Sequence, residues 1–296
     1  MATEVEKWDK DQIKRLAQVS GRPLEVECAE AFLKAKWHVR LGTYYTDIAS
    51  EKIRELDFLA ERDFRFNTVA QNHAAIIWKV RLRILGSCKG FAAEQGPATY
   101  SVAAQSQAIE KPHFNCYECG IHGRNIANSM SRKSAETFLR ITELSSARQV
   151  IGFDIIHRKE DQKNPPQVEY LRKTDRDLYE GLDCAIKAAA FWYQEDKRQN
   201  RRTIGGDDHA YITLNIPLLV SSRPFWDVSI DQGTAGDPEL KSYGFHVSLY
   251  PSGDSEKPPE PIMSILCEAG KMEELTRHLN NLFDYFIKEV QLSAKS

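Results

Sequence analysis

The chain has 296 residues, of which 42% are hydrophobic, which is ample for a substantial core in one large domain or two small ones. Its formal net charge of -2 excludes a strongly basic nucleic-acid-binding protein as a description of the whole chain, although a local basic groove is compatible with it. The polar N-terminus predicts no signal peptide, and apolar runs such as 214–220 are far too short to span a bilayer. The six cysteines form no recognisable disulfide framework, so a cytoplasmic location is predicted.

The first third of the chain has a clear order of predicted elements. A short amphipathic helix is predicted over 9–18. A second helix begins after Ser20 and ends near Lys36, with apolar residues at helical spacing along one face. Three extended segments follow, at 37–45, 53–61 and 74–89.

The rest of the chain predicts alternating strands and helices after a poorly patterned stretch. Residues 90–132 are rich in Gly, Pro, Asn and Ser and predict long loops with at most one short helix. Strands are then predicted at 149–157, 210–220, 225–230, 243–250 and 262–267, and helices at 174–199 and 270–292. This order predicts an α/β protein with a mixed sheet. No linker composition separates two domains, so residues 1–296 are predicted to form a single α/β domain.

Polar side chains that can support phosphodiester chemistry lie in one compact region. Hydrolysis of a phosphodiester needs carboxylates that hold Mg²⁺, and a nearby lysine can align water or stabilise charge. Alternation along the strand at 53–61 predicts that Asp57 projects from its polar face. The opposite, apolar face is predicted to consist of Leu56, Phe58 and Ala60. Lys89 shares a face of the next strand with Ser87, and Glu25 comes from the preceding helix.

Short motifs occur in a fixed order between residues 20 and 90. They are Leu24-Glu25 with Cys28-Ala29 and Phe32, then Tyr44-Tyr45-Thr46-Asp47, then Arg54-Glu55-Leu56-Asp57-Phe58-Leu59-Ala60, then Ile84-Leu85-Gly86-Ser87-Cys88-Lys89. Together they resemble the core of the PD-(D/E)XK, or restriction-endonuclease-like, superfamily. The resemblance implies that Glu25 is the helix glutamate, Asp57 the metal-binding aspartate and Lys89 the catalytic lysine. It also implies that the backbone carbonyl of Cys88 is a metal ligand.

Ser87 departs from the pattern of that family, which usually has Glu or Asp two residues before the lysine. A hydroxyl is a weak, neutral ligand for Mg²⁺, so the metal site has one negative charge fewer. Glu25, Glu55 or Glu61 would have to supply the missing carboxylate. Ser87 still occupies the position of a catalytic acidic residue and is therefore kept as a candidate site residue.

The resemblance implies a fold and a function. The restriction-endonuclease-like core would cover about 20–160, with a mixed central sheet flanked by helices, and an extension over about 161–296 would lengthen the sheet. The implied activity is Mg²⁺- or Mn²⁺-dependent hydrolysis of phosphodiester bonds, with DNA favoured as the substrate, in defence, restriction or repair. The alternative is a catalytically weak or inactive nuclease fold that acts as a nucleic-acid-binding or interaction subunit. No membrane partner is predicted, and a homodimer is left open.

A second constellation has the residue types of a zinc site. It is His113-x-x-Cys116-x-x-Cys119-x-x-His122. All four residues lie in one short run, whereas structural zinc sites usually draw ligand pairs from two separated segments. Zinc at Cys116 and Cys119 is therefore the weaker interpretation, and a loop with two free thiols is the stronger one.

Basic residues on the strand that leads to Lys89 are candidates for a nucleic-acid track. Arg81 and Arg83 alternate along this strand, so their side chains are expected on one face. Guanidinium groups in such a row can contact successive phosphates. A solvated charged face is the more common explanation for any single basic cluster.

Overall fold

The architecture is seen in a computed structural model, which describes residues 22–69, 75–90, 95–103, 114–119, 126–142, 150–161, 167–174, 176–203, 209–231, 234–241, 243–250 and 260–294. The helix predicted over 9–18 lies outside these residues, as do His113 and His122. The described part of the chain contains four α-helices and thirteen strands. None of these helices is long and apolar enough to cross a membrane.

The helices and strands follow one another in mixed order. The helices are α1 (Arg22–Lys34), α2 (Ile126–Ile141), α3 (Arg176–Thr203) and α4 (Met272–Ser293), with a 3-10 turn at Ala269–Lys271. The first seven strands are β1 (His38–Thr46), β2 (Ile53–Val69), β3 (Ala75–Lys89), β4 (Gln95–Ala103), β5 (Asn115–Cys119), β6 (Val150–Asp161) and β7 (Gln167–Thr174). The others are β8 (His209–Ser221), β9 (Phe225–Asp231), β10 (Thr234–Ala235), β11 (Glu239–Lys241), β12 (Tyr243–Tyr250) and β13 (Glu260–Glu268).

The principal sheet has seven strands and is mixed. Its order is β1-β2-β3-β8-β13-β12, and β5 also pairs with β8. The strands β1, β2 and β3 form an antiparallel meander, whereas β8 runs parallel to β3 directly after the helix α3. Helices cover both faces of this sheet, so the prediction of an α/β protein with a mixed sheet is confirmed.

A second sheet was not predicted from the sequence. It has the order β10-β9-β4-β6-β7, with β11 paired to β9. Its strand β4 and the strand β5 of the principal sheet fall in the stretch 90–132 that was predicted as loops, and that prediction is wrong for these residues. Helix α2 begins in the same stretch, for which one short helix had been allowed, and continues to Ile141. The strand β4 has the sequence QGPATYSVA, in which apolar and polar residues do not alternate and both Gly and Pro occur. Its conformation therefore depends on pairing with β6 and β9 rather than on local propensity.

The core has two parts, one on each face of the principal sheet. The larger cluster lies between the sheet and helices α1, α2 and α4; its largest side chains include Phe32, Phe58, Trp78, Phe138, Phe283 and Phe286. The smaller cluster lies under α3 and comprises Tyr45, Leu56, Leu59, Leu85, Ala188 and Ala189. The strand β8 is buried on both faces, which explains its continuous apolar sequence.

The side-chain pattern of β2 changes faces at Asp57. Phe58 and Ala60 pack in the larger cluster, whereas Leu56 packs on the α3 side. The prediction that these three residues share one face is therefore wrong at Leu56. The β1–β2 pairing is irregular at the same level, since Gly42, with a φ of 59°, lies between the pairs Leu41–Phe58 and Thr43–Leu56. Glycine adopts this left-handed conformation without strain, and such irregular positions within a strand pair accompany a break in regular alternation.

Gly86 is required by close packing rather than by its backbone conformation. It lies directly opposite Phe58 in the β2–β3 register. A Cβ atom at this position would overlap the Phe58 ring, which packs against Phe32 in the larger cluster with ring centroids 5.6 Å apart. The glycine therefore allows an aromatic side chain to lie flat on the strand just before the segment that carries Ser87 and Lys89.

We expect Gly86→Ala to destabilise the protein by about 2 kcal/mol, because the added methyl group must displace the Phe58 ring or the strand. Urea denaturation measures the change. Gly90→Ala is the matched control, since a Cβ there would meet no atom within 4 Å. The control should change the free energy of unfolding by less than about 0.5 kcal/mol. Equal stability of the two variants would contradict the packing described.

Candidate functional site

Asp57 lies where the pairing of β2 with β3 ends. The last paired positions are Phe58 and Gly86. Beyond them, the backbone N–H of Cys88 donates to the Asp57 Oδ2 atom over 2.5 Å, and the hydroxyl of Ser87 donates to the same oxygen over 3.1 Å. The Asp57 carboxylate thus joins the two strands where their backbone pairing has ended. The two hydrogen bonds fix the orientation of this carboxylate.

Glu25 approaches this carboxylate from the first turn of α1. Burial raises the pKa of Glu25, and the negative charges of Asp57 and Glu55 raise it further. The positive charges of Lys89 and Arg22 act in the opposite direction. The structure therefore brings Glu25, Asp57 and Lys89 into one electrostatic neighbourhood, although they come from three different elements.

A pair of buried thiols anchors α1 against β3. Cys28 lies one turn after Glu25, and its Sγ atom is 3.7 Å from that of Cys88. Contact with Cys28 and burial raise the pKa of the Cys88 thiol well above its ordinary value, so this thiol stays protonated at neutral pH. Its side chain packs in the larger cluster, which leaves only the backbone carbonyl of Cys88 as a candidate metal ligand.

Helix α3 covers the end of β3 at Gly181, a residue that sequence reasoning missed. A Cβ atom there would lie 2.6 Å from Lys89 Cε and 3.1 Å from Ser87 Oγ. The glycine therefore lets the helix rest directly on both candidate residues. Glycine inside a helix is unfavourable by about 1 kcal/mol relative to alanine. A glycine within the predicted helix 174–199 was therefore the sequence feature that could have indicated a close contact at this position.

Cys184 and Tyr45 hold the same helix against the β1–β2 pair, and neither was predicted. The Tyr45 hydroxyl donates to the carbonyl oxygen of Cys184 over 3.0 Å. The Cys184 thiol donates in turn to the backbone carbonyl of Glu55 over 3.2 Å. Burial raises the pKa of Cys184, and the charge of Asp57 raises it further, whereas a hydrogen bond from Tyr45 and the charge of Lys89 lower it. The thiol thus lies beside the candidate site.

Asp47 stabilises the turn between β1 and β2. Its fully buried carboxylate accepts hydrogen bonds from the Ala49 N–H, the Ser50 hydroxyl and Arg54 Nε, and Lys187 Nζ lies 3.5 Å away. Burial alone would raise the pKa of Asp47, but these hydrogen bonds and positive charges lower it to about 2. The carboxylate therefore stays ionised at neutral pH and holds the strand that carries the candidate aspartate.

Arg83 cannot line a nucleic-acid track, which corrects that prediction. Its side chain is 1% exposed, donates to Glu61 over 2.7 Å, and donates to both carboxylate oxygens of Asp196. It also donates to Asn215 Oδ1 and lies over the Trp192 ring at 4.8 Å from its centroid. A buried guanidinium needs such partners, and here its charge is used within the fold.

Glu61 cannot replace the acidic residue absent at position 87. Its carboxylate is engaged by Arg83, by Arg81 at 3.0 Å and by Arg40 at 3.0 Å. Although burial alone would raise the pKa of Glu61, the surrounding guanidinium groups lower it. Arg81 is engaged as well, since it also pairs with Asp63. Glu25 and Glu55 are the other two carboxylates that could replace the acidic residue absent at position 87. Both belong to the group of charges around Asp57, since Asp57 and Glu55 each raise the pKa of Glu25.

The donor chemistry at this end of the sheet suits a hard divalent cation. Asp57, Glu25 and Glu55 supply carboxylate oxygens, which Mg²⁺ prefers, and a cation would relieve their mutual repulsion. Within the described residues, no group of three or more His, Cys, Asp or Glu side chains is arranged to hold a metal ion. A Mg²⁺ ion at this place would therefore have at most two of these carboxylates as ligands, and water and backbone oxygen would have to complete its coordination.

The second constellation falls partly within the described residues. Cys116 and Cys119 both belong to β5, which pairs with β8, so this segment is a strand of the principal sheet rather than a loop. Cys116 packs against the larger cluster. Both histidines lie outside the described residues, and zinc at this segment stays a prediction.

We expect Asp57→Asn to lower the pKa of Glu25, because a neighbouring negative charge is removed, and Lys89→Met to raise it, because a positive charge is removed. Carboxyl ¹³C NMR titration measures both shifts. Glu27→Gln is the control, since Glu27 is an exposed glutamate on the same helix. An unchanged Glu25 pKa in the Asp57→Asn protein would show that the two carboxylates are not neighbours.

No family model matches this chain, no curated protein matches it, and no solved structure matches it. The resemblance to the PD-(D/E)XK superfamily therefore stays a prediction from the sequence motifs.

Proposed function

We propose that this chain is a Mg²⁺-dependent nuclease with a restriction-endonuclease-like core, which hydrolyses phosphodiester bonds in nucleic acid, with DNA as the favoured substrate. One observation carries the proposal. Glu25, Asp57 and Lys89 come from a helix and two strands, yet they converge at the point where those strands separate. Carboxylates beside a lysine are the groups that metal-assisted phosphodiester hydrolysis requires.

Each candidate residue has a role in this proposal. Asp57 and Glu25 would hold Mg²⁺ or Mn²⁺, together with the backbone carbonyl of Cys88. The bound metal supplies a Lewis acid that lowers the pKa of water and offsets charge on the phosphate. The ammonium group of Lys89 would orient the attacking water and stabilise the negative charge that develops on the phosphate oxygens.

The hydrogen bonds at the site support preorganisation of these groups. Asp57 is held by Ser87 and by the Cys88 N–H, so its free oxygen has a defined direction. Lys89 lies under Gly181 of helix α3, which restricts its side chain near the strand end. Groups that are already oriented need little rearrangement during reaction, and this is a main source of catalytic stabilisation.

The chain order gives further support. Helix α1 carries Glu25 and precedes the β1–β3 meander, whose strands β2 and β3 carry Asp57 and Lys89. The proposed core is placed at about 20–160 and the extension at about 161–296, whose strands β8, β12 and β13 lengthen the sheet. A cytoplasmic location in phage defence, restriction or repair, and a homodimer, stay predictions.

A second candidate function is a nuclease fold that binds nucleic acid or a partner without cleaving it. One observation favours it. Ser87 is 3% exposed and donates its hydroxyl proton to Asp57, so the position of the family's second acidic residue holds a neutral group that occupies one Asp57 oxygen. A metal site with less charge binds Mg²⁺ more weakly. Binding without turnover would assign the chain to this candidate.

We expect the purified protein to cut plasmid or single-stranded DNA in Mg²⁺ or Mn²⁺, and Asp57→Asn and Lys89→Met to slow cleavage by about 100-fold or more. Gel analysis of the initial rates measures the effect, with RNA tested in parallel. Lys52→Met is the matched control, because Lys52 is an exposed lysine in the β1–β2 turn. It should cut at the wild-type rate.

Two results would refute the nuclease proposal. One is an absence of cleavage by the wild-type protein under all of these conditions. The other is equal cleavage by the wild-type and Asp57→Asn proteins, which would indicate a contaminating nuclease. Circular dichroism and thermal melting of each variant establish that lost activity does not reflect lost folding.

A further inference from the structure

Cys28 and Cys88 place two thiols in direct contact beside the candidate site. They belong to helix α1 and strand β3, and their Sγ atoms lie 3.7 Å apart, with the Cys88 thiol donating to Cys28. Another thiol of the same core, Cys267, donates instead to the carbonyl oxygen of Glu268. A contact between two sulfur atoms is the arrangement from which a disulfide forms, so these two thiols can do more than fill space.

Each of the two thiols belongs to a segment that positions a candidate metal ligand. Cys28 lies one helical turn after Glu25 on α1. The backbone N–H of Cys88 donates to the Asp57 Oδ2 atom over 2.5 Å, and the Cys88 carbonyl is itself a candidate ligand. A change in the distance between the two sulfur atoms therefore changes the position of Glu25 relative to Asp57.

The opposite face of β3 is held independently of this sulfur contact. Successive side chains of a strand point to opposite faces, and Cys88 packs in the larger cluster together with helix α1. The neighbouring side chains of Ser87 and Lys89 lie under helix α3 at Gly181. A movement of α1 therefore changes one side of the site and leaves the serine and the lysine on the other side in place.

Burial makes this pair of thiols slow to react. Cys28 is fully buried and Cys88 is 8% exposed. Contact with Cys28 and burial raise the pKa of the Cys88 thiol, so the reactive thiolate is scarce at neutral pH and the pair stays reduced until an oxidant accumulates. A small oxidant reaches the more exposed sulfur, that of Cys88, first. Because Cys28 is already in contact with it, the second step needs no rearrangement of the chain.

We propose that Cys28 and Cys88 are a redox pair whose disulfide switches the candidate metal site off when peroxide accumulates. This inference rests on the proposed function, since it names a regulation of the same site. Hydrogen peroxide oxidises the Cys88 thiol to a sulfenic acid and releases one water. The Cys28 thiol then attacks that sulfur, the S–S bond forms and a second water leaves. Two thiols thus lose two electrons and two protons, and one peroxide is reduced to two waters.

The disulfide lowers the metal affinity of the site by moving Glu25. Bonded sulfur atoms lie about 2 Å apart, much closer than the contact of 3.7 Å, so the bond draws helix α1 and strand β3 together. Glu25 moves with the helix, whereas Asp57 is held by its hydrogen bond from Ser87. A misplacement of about 1 Å can cost about 100-fold in an active site, so even a partial movement of Glu25 should weaken metal binding by about 10-fold.

The test compares the full-length protein after treatment with hydrogen peroxide and after treatment with dithiothreitol. Catalase removes the excess peroxide, tryptic mass spectrometry identifies the disulfide, and isothermal titration calorimetry measures the Kd for Mn²⁺. We expect a Cys28–Cys88 disulfide and a Kd for Mn²⁺ about 10-fold higher or more, with both changes reversed by dithiothreitol. The rate of DNA cleavage is measured on the same samples.

Two variants serve as controls for this experiment. Cys28→Ala should keep its Mn²⁺ affinity after peroxide, because it cannot form the bridge, and Cys28→Ser replaces it if the alanine variant melts early. Cys267→Ala is the matched control, since it removes another fully buried thiol of the same cluster and keeps the pair. It should respond to peroxide as the wild type does.

The outcomes separate this inference from the nuclease proposal, because the disulfide and the Mn²⁺ affinity are read without cleavage. An absent Cys28–Cys88 disulfide, or a disulfide that leaves the Mn²⁺ affinity unchanged, overturns the inference even if the protein cuts DNA. An equal loss of affinity in peroxide-treated Cys28→Ala protein also overturns it, because another thiol such as Cys184 would then be responsible. A disulfide that weakens Mn²⁺ binding in a protein that cuts no nucleic acid supports the switch and counts against hydrolysis.

Discussion

The two hydrogen bonds that Ser87 and Cys88 donate to Asp57 join β2 and β3 at the position where their backbone pairing stops. Both strands continue past this position, β2 in pairing with β1 and β3 in pairing with β8, so the Cys88 amide that faces β2 needs a partner other than the β2 backbone. Here one carboxylate takes both donors and closes the gap. The side chain that is proposed to bind metal is therefore also a structural link, and its position does not depend on a ligand.

The surrounding packing is arranged around that link. On one face of the sheet, the contact between Cys28 and Cys88 holds helix α1 against β3. Glu25 lies one helical turn before Cys28 and is therefore placed beside the site. On the other face, Gly181 allows helix α3 to lie on Ser87 and Lys89. Gly86 admits the Phe58 ring one residue before the link. Small or polarizable residues at these contacts let two layers approach the strand end closely, which larger side chains would prevent.

The sequence predicted the elements whose apolar residues recur with a strong periodicity. It did not predict the elements whose conformation depends on pairing with distant strands. The helices α1 and α4 and the strands β2 and β3 followed from their apolar spacing, and the proximity of Glu25, Asp57 and Lys89 followed from the resemblance. Strand β4 could not be predicted, because its conformation comes from its neighbours. The burial of Arg83 was missed for a similar reason, since its partner Asp196 is distant in sequence. The change of face at Leu56 coincides with the interrupted pairing at Gly42, whose positive φ no alternation rule anticipates.

The nuclease proposal requires the Asp57 carboxylate held between β2 and β3 to be a metal ligand. A crystal grown or soaked in millimolar Mn²⁺, with data collected at the manganese absorption edge, tests it most directly. We expect an anomalous peak within coordination distance of Asp57, shared with Glu25 or with the Cys88 carbonyl. A well-ordered site with no manganese beside Asp57, in crystals that bind the ion elsewhere, would contradict it.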